Sequence, residues 1–213
     1  PLSSTPIHRL VDILFQLQEK RRGSRYHWKL LAQLLRHPYL KQLGGEEHPL
    51  RTLLRELEGQ LRCGETYADP KRLDLSLPEG QDDPIAVEMV RTLLALCLDG
   101  FEEVATLGGL ARALDRVCVF LLTHGEELWE RHLIDGECLH RLMFSLIPEL
   151  SECESADTSM DVATLLTIVR QLMDQERVPF EADPLTGLQV LGMLESRTLR
   201  FRRVYLVGAT ENN

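Results

Sequence analysis

Apolar residues recur every three or four positions along most of the chain, and the pattern changes only near its end. Between residues 5 and 176 this spacing places leucines and other apolar side chains on one face of successive α-helices. The segments 188–191 and 204–207 are instead short, predominantly apolar runs that each meet a glycine, which is typical of buried strands. The pattern predicts a mostly α fold with a small α/β portion, in which the first helix covers the two C-terminal strands.

Capping residues and helix breakers set the bounds of the predicted helices. Thr5 and Pro6 suit the N-cap and first turn of the first helix, and Gly23 suits a left-handed turn at its end. A second helix begins near Trp28 and stops before Pro38, because the residue before a proline avoids the helical region. Further helices are predicted over residues 46–61, 84–98, 101–123, 126–147 and 159–176.

Three local signals refine this prediction. The pair Gly108-Gly109 should interrupt the helix over 101–123, and Pro148 should close the helix over 126–147. Thr158 or Ser159 should cap the last helix. Residues 63–83 are rich in glycine, proline and acids and predict a loop, with one short edge strand over the alternating segment 73–77.

Composition and charge narrow the classes of function. The 213 residues are 44% hydrophobic, and five scattered cysteines form no Cys-x-x-Cys pair, which is typical of reduced thiols and predicts a cytoplasmic protein without a membrane span. The net charge of −9 is uneven: residues 1–62 carry +5, residues 63–195 carry −17 and residues 196–213 carry +3. Contact with nucleic acid would therefore use the two ends, while most of the acidic middle is expected to be solvated helical surface.

Several catalytic motifs are absent from the sequence. None of the four lysines follows a glycine, so there is no phosphate-binding P-loop. The motifs Gly-x-Ser-x-Gly, His-Glu-x-x-His and Glu-x-Lys are also missing. We therefore expect no catalytic residue and no cofactor in this chain.

A few histidines, one cysteine and the two tryptophans are possible ligands or packing groups. His132, Cys138 and His140 are close in sequence, but their spacing fits no standard zinc site and a helix would turn them to different faces. His124 is expected at a helix end, and the two tryptophans, Trp28 and Trp129, are expected to pack in or beside the core.

Two basic clusters are the candidate DNA-binding residues. The N-terminal cluster is also explained by helix capping, because cations favour a helix C-terminus. The C-terminal cluster crowds the turn between the two predicted strands. The candidates are Arg21, Arg22, Arg25 and Lys29 in the first cluster, and Arg197, Arg200, Arg202 and Arg203 in the second.

The C-terminal segment resembles the fifth conserved motif of the UvrD-like superfamily-1 helicases. The frame of that motif is kept in the order of its parts: a strand, an arginine-bearing connector, Leu199-x-Phe201, Val204, an apolar strand and Gly208. The threonine, histidine, glycine and acid of active members are replaced, and Arg197 stands at the position of the lysine. The combination with Glu195-Ser-Arg197 is similar to AddB-type subunits and related helicase–nucleases that carry a PD-(D/E)XK nuclease domain.

The N-terminus resembles the same family. Residues 1–6, the leucine-striped helix after them and residues 34–40 are similar to the segment that follows the fourth motif strand. The resemblance implies that residues 1–21 and 179–213 belong to a RecA-like 2A domain and that residues 22–178 form a helical 2B-like domain. It further implies a segment of a larger bacterial DNA-repair protein.

The resemblance also implies a function and partners. The parent protein would be an ATP-dependent helicase–exonuclease or its degenerate subunit, with ATP and Mg²⁺ bound outside this segment. The partners would be DNA and a second subunit, and Arg197 with one of its neighbouring arginines would contact the DNA backbone. The alternative is a helical protein–protein interaction module without a nucleic-acid role, whose acidic middle binds a basic protein surface. Clustering of residues 20–29 with 197–203 on one face would favour DNA.

Overall fold

The chain is mostly helical, as the sequence pattern predicts. A computed structural model describes residues 2–44, 50–76, 83–177, 202–205 and 207. The chain divides into two compact units, Pro1–Pro179 and Phe180–Asn213. The α-helices of the described residues are α1 (Pro6–Glu19), α2 (Trp28–Leu35), α3 (Pro38–Gln42), α4 (Leu50–Cys63), α5 (Pro84–Cys97), α6 (Leu107–His124), α7 (Glu126–Arg131), α8 (Leu133–Arg141), α9 (Ile147–Glu152) and α10 (Val162–Gln175). Among these residues no helix is both long and apolar enough to cross a membrane.

The first helix begins as its capping residues predict. The backbone N–H of His8 donates to the Thr5 hydroxyl at 3.4 Å, and Pro6 occupies the first turn, where its missing N–H costs nothing. The helix ends at Glu19. Gly23 adopts the predicted left-handed conformation (φ +60°), but it does so in a separate turn that follows the helix.

The helix α1 belongs to the same core as the helices that follow it. Its apolar face packs against α2, α8 and α10, and its buried residues join one continuous hydrophobic cluster with theirs. Arg170 of α10 secures this contact, because its guanidinium reaches Asp12 at 3.1 Å and Glu19 at 2.8 Å. The helix α1 thus shares its core with the helices that follow it, and the domain boundary at residue 22 stays a prediction. The boundary predicted at residue 178, and the contact of α1 with residues 188–191, lie outside the described residues.

The remaining helices extend the core in sequence order. The helix α2 packs against α4, α4 against α5, α5 against α6, and α6 against α9. Each pair is joined by leucine stripes, and the face of α4 that carries Leu53, Leu57 and Leu61 is fully buried. The predicted start of α4 at residue 46 lies outside the described residues.

A buried histidine links two parts of this core. The Pro38 that stops α2 also begins α3, with His37 as its N-cap. The ring is 2% exposed: Nδ1 accepts the N–H of Tyr39 at 3.3 Å, and Nε2 lies 3.0 Å from the carbonyl oxygen of Pro6, to which it donates. This pairing assigns the neutral tautomer with the proton on Nε2. Burial, together with the nearby positive charge of Arg9, lowers the pKa of His37 to about 4.

The glycine pair in α6 does not break the helix, contrary to the sequence prediction. The helix begins at Leu107 rather than at residue 101, so Gly108 and Gly109 lie in its first turn, where Thr106 accepts the N–H of Gly109 at 3.0 Å. Gly108 allows a close backbone approach, since its N–H donates to the Ala156 carbonyl at 2.9 Å and a Cβ would lie 3.3 Å from that oxygen.

The helix predicted over 126–147 is also different in the structure. It is interrupted at His132, and α8 continues through a π-helical segment, Leu142–Leu146, into α9. Pro148 lies in the first turn of α9 and does not close the helix, because the interrupted i to i−4 ladder accommodates a residue without an N–H. The last helix, α10, is capped by Asp161, which accepts the N–H of Thr164 at 3.0 Å, and not by Thr158 or Ser159.

The strands lie elsewhere than predicted. The described residues of the segment 73–77 form no strand, because the backbone groups of Asp74 are bound by a side chain. The amide of Gln60 donates to the Asp74 carbonyl at 2.8 Å and accepts the Asp74 N–H at 2.9 Å. Residues 188–191 are outside the described part of the chain. Val204, Tyr205 and Val207 lie in no strand and are 65, 78 and 94% exposed, so the predicted buried strand is not formed at these residues.

Candidate nucleic-acid interface

A short β-ribbon presents the N-terminal basic cluster. Strand β1 (Tyr26–His27) pairs antiparallel with β2 (Tyr67–Ala68), with Tyr26 opposite Ala68 and His27 opposite Tyr67. Before β1 the chain forms a tight turn, in which Arg22 and Arg25 exchange backbone hydrogen bonds of 2.9 and 3.1 Å. Gly23 makes this turn possible because its positive φ would strain any residue with a Cβ.

A buried tyrosine anchors the ribbon to the helical core. Tyr26 is 1% exposed, and its hydroxyl donates to Glu102 Oε1 at 2.9 Å. Burial, and then the neighbouring Glu102 carboxylate, raise the pKa of Tyr26 well above its ordinary value, so the hydroxyl stays protonated as a donor. Arg21 pairs with the same carboxylate at 3.0 Å and also donates to the Glu102 backbone carbonyl at 3.1 Å.

Cations and aromatic rings lie close together on the ribbon and in the first turn of α2, which follows β1 directly. The guanidinium of Arg22 lies 4.3 Å from the centre of the Tyr67 ring, and the His27 ring meets the edge of Tyr67 with 5.4 Å between centroids. The ammonium of Lys29 lies 5.9 Å from the Trp28 ring. We call Arg22, His27, Trp28, Lys29 and Tyr67 the ribbon row. Such a row offers both flat surfaces for bases and charges for phosphates.

The four N-terminal candidates therefore have different environments. Arg21 is paired with Glu102, and Arg25 pairs with Glu65 at 2.9 Å. Within the described residues Arg22 and Lys29 have no carboxylate within ion-pair distance. The helix α1 ends at Glu19 with Lys20 as its C-cap, and its last turn contains no basic residue.

The C-terminal candidates are described only in part. Arg202 and Arg203 are exposed and belong to the second unit, whereas Arg197 and Arg200 lie outside the described residues. The predicted clustering of residues 20–29 with 197–203 also lies outside what the structure describes.

Sequence reasoning missed the aromatic half of the ribbon row. Trp28 is half-buried against the core, as predicted, and it lies beside Lys29 in the first turn of α2, directly after β1. Tyr67 is forty positions from His27, and only strand pairing brings the two rings together. No local pattern around Tyr67 signals this contact.

The other singled-out residues have packing roles. His124 is the last residue of α6, as predicted, and its ring contacts Phe120. Trp129 is in the core, as predicted, and its indole N–H donates to the Leu121 carbonyl at 3.1 Å. Cys138 is buried whereas His132 and His140 are exposed, so these three residues do not share a surface.

The described residues offer no fit for the cofactors that the resemblance implies for a parent protein. No group of three or more His, Cys, Asp or Glu side chains among them is arranged to hold a metal ion, and the sequence contains no P-loop. The described residues therefore give no basis for placing ATP or Mg²⁺ in this chain.

Comparisons with protein-family models, curated proteins and solved structures find no match to this chain. The family resemblance therefore remains a prediction from the sequence, and the function must be argued from the geometry.

Proposed function

We propose that this chain is a non-catalytic helical module that contacts single-stranded DNA through the ribbon row. The observation that carries the proposal is the proximity of two exposed cations without a carboxylate partner among the described residues, Arg22 and Lys29, to the three partly exposed aromatic rings of the ribbon row. Stacking of a base on an aromatic side chain contributes about 1–3 kcal/mol and tolerates any base. The ribbon would thus bind without sequence preference.

The structure of the ribbon explains why it would hold its shape on binding. Tyr26, Glu102 and Arg21 form a closed set of hydrogen bonds beneath it, so the outer side chains stand on a fixed backbone. A preorganised platform loses less conformational entropy on binding than a mobile loop. We therefore assign Arg21 a positioning role and not a contact with phosphate.

The larger setting follows from the family resemblance and is part of the proposal. The module would belong to a DNA-repair helicase–nuclease, where it contributes contact with DNA or with a second subunit. The exposed Arg202 and Arg203, with Arg197 and Arg200, would add backbone contacts from the second unit. ATP and Mg²⁺ would act elsewhere in the parent protein.

Substitution of the ribbon row tests this function. Fluorescence anisotropy with a labelled oligothymidylate, repeated over a salt series, should show weaker binding for Tyr67→Ala at every salt concentration. Arg22→Ala should also weaken binding and reduce the salt slope by about 0.7, the share of one phosphate contact on a single strand.

The matched control is Arg112→Ala, which removes an exposed arginine from the first half of α6. It lowers the net charge by the same amount as Arg22→Ala and should leave affinity nearly unchanged. Equal losses for the two arginine variants, or unchanged binding in Tyr67→Ala, would contradict a role for the ribbon row.

One observation favours the alternative, a protein–protein interaction module. A cavity of about 640 Å³ lies between the loop after β2 and α5, with apolar walls that include Leu73, Leu94 and Leu98. The described residues of its lining include four acids and two basic residues, which would suit a basic apolar segment of a partner. Asp74→Lys should then weaken binding of an arginine- and leucine-rich peptide without changing oligothymidylate affinity.

A further inference from the structure

A second basic surface lies on α3 and α4. The described residues that line a groove of about 480 Å³ include four cationic side chains, Arg36, Lys41, Arg51 and Arg55, and one carboxylate, Glu58. The apolar residues of its lining are Leu35, Pro38 and Leu54. We call this feature the α3–α4 groove. None of its basic residues belongs to the ribbon row.

Glu58, the one carboxylate among the described residues that line this groove, is already engaged. Glu58 binds Arg36 at one side and Arg62 at 2.8 Å on the other, and it also lies near the positive charge of Lys41. Hydrogen bonding from Arg36 lowers the pKa of Glu58, which keeps the carboxylate ionised. Within the described chain, Lys41, Arg51 and Arg55 have no carboxylate partner within ion-pair distance. Among the described residues, three of the four cations of the groove therefore have no compensating carboxylate.

The stability of α4 does not explain why Arg51 and Arg55 occupy these positions. Arg51 and Arg55 are four positions apart on α4, a spacing at which like charges repel by about 0.2–0.5 kcal/mol. Arg51 also lies in the first turn of α4, where the helix dipole disfavours a cation, and that turn contains no acidic residue. Both costs are relieved when an anion lies between these side chains.

The geometry also holds the cations together. The Nε–H of Arg51 donates to the backbone carbonyl of Lys41 at 3.3 Å, which ties the start of α4 to the end of α3. Arginine forks suit phosphate oxygens because two parallel N–H groups match the geometry of an oxyanion.

We propose that the α3–α4 groove is a phosphate-binding site, in which Lys41, Arg51 and Arg55 hold the anion. The shared ligand chemistry is a phosphate oxyanion, supplied either by a nucleic-acid backbone or by a free polyphosphate. The assignment stands on the groove alone and does not require the ribbon row to bind DNA.

Charge reversal in the groove tests the site. The double variant Arg51→Glu/Arg55→Glu should lose most of the binding that the unaltered chain shows toward oligothymidylate, toward tripolyphosphate, or toward both. The matched control is Arg112→Glu/Arg116→Glu on the outer face of α6, which changes the net charge equally and uses exposed residues at the same helical spacing. Circular dichroism at increasing temperature checks that both double variants remain folded.

The outcomes separate the sources and the two proposals. Loss with oligothymidylate alone identifies a nucleic-acid backbone as the ligand, and loss with tripolyphosphate alone identifies a free polyphosphate. The charge-conserving variant Arg51→Lys/Arg55→Lys should retain most of the salt dependence. No binding of either probe, or equal losses in the groove and control variants, overturns the site. Because Tyr67→Ala and Arg22→Ala are measured with the same oligothymidylate, failure of the groove and failure of the ribbon row are distinguishable.

Discussion

The buried His37 should make the fold sensitive to mild acid. The ring is neutral in the folded chain because its pKa is lowered to about 4, chiefly by burial, whereas the unfolded chain has the ordinary value of 6.5. Between these two values the unfolded chain binds a proton that the folded chain excludes. The free energy of unfolding is therefore at its full value above about pH 6.5 and falls as the pH is lowered toward about 4.

The magnitude follows from the difference between the two pKa values. Linkage gives a loss of about 2 kcal/mol between about pH 7 and about pH 5, and about 3 kcal/mol when the pH reaches the folded value. The atomic cause is visible in the structure: Nδ1 accepts the N–H of Tyr39, so a proton there would remove the N-cap of α3. The ring is also enclosed, and water cannot solvate a charge on it.

The assay is urea unfolding at about pH 7 and about pH 5, with the free energy of unfolding obtained by linear extrapolation. The variant His37→Asn keeps a side-chain oxygen at the N-cap but has no titrating group. It should be less stable than the unaltered chain at neutral pH and should lack the loss of about 2 kcal/mol on acidification.

The control is His140→Asn, which removes an exposed histidine. It should keep the pH dependence of the unaltered chain. The reasoning is refuted if His37→Asn and the unaltered chain lose equal stability between the two pH values, since the proton uptake would then belong to other groups.

Two further predictions concern the packing of the helices. Gly59→Ala should raise the free energy of unfolding by about 1 kcal/mol, because a Cβ there meets no atom within 4 Å inside α4 and alanine is the better helix former. Gly125→Ala should instead lower the free energy of unfolding, since its Cβ would lie 2.6 Å from the Leu121 carbonyl oxygen and 3.0 Å from Trp129 Nε1. Urea unfolding of both variants measures the two changes, and equal changes would contradict the packing argument. Arg170→Ala should destabilise by about 1 kcal/mol, because it removes two partly exposed ion pairs between α10 and α1. In Arg170→Ala, amide hydrogen exchange should be faster in α10 than in α4. Equal exchange rates in the two helices would indicate that the ion pairs do not secure α10.

The sequence identified the basic residues of the ribbon row, but not their surroundings in the fold. The sequence shows that Arg22 and Lys29 lie in a basic cluster, but it also allows a helix cap as their role. The structure adds that Arg22 lies three residues beyond the end of α1 at Glu19 and over the ring of Tyr67. The α3–α4 groove was not predicted at all, because Arg36 and Lys41 become neighbours of Arg51 and Arg55 only when α3 packs against α4.

What the sequence alone determined is the part of the fold that local physics controls. The apolar period and the caps place α1, α2, α5 and α10 within a few residues, because a helix satisfies its hydrogen bonds within its own segment. Tertiary structure decided the rest. At Gly108, in the first turn of α6, the backbone of another segment approaches closely, which the local sequence does not indicate. Strand β1 pairs with β2, forty residues away, and no local pattern identifies that partner. Local periodicity encodes which face of an element is buried, whereas the identity of the surface that buries it depends on the packing of the whole chain.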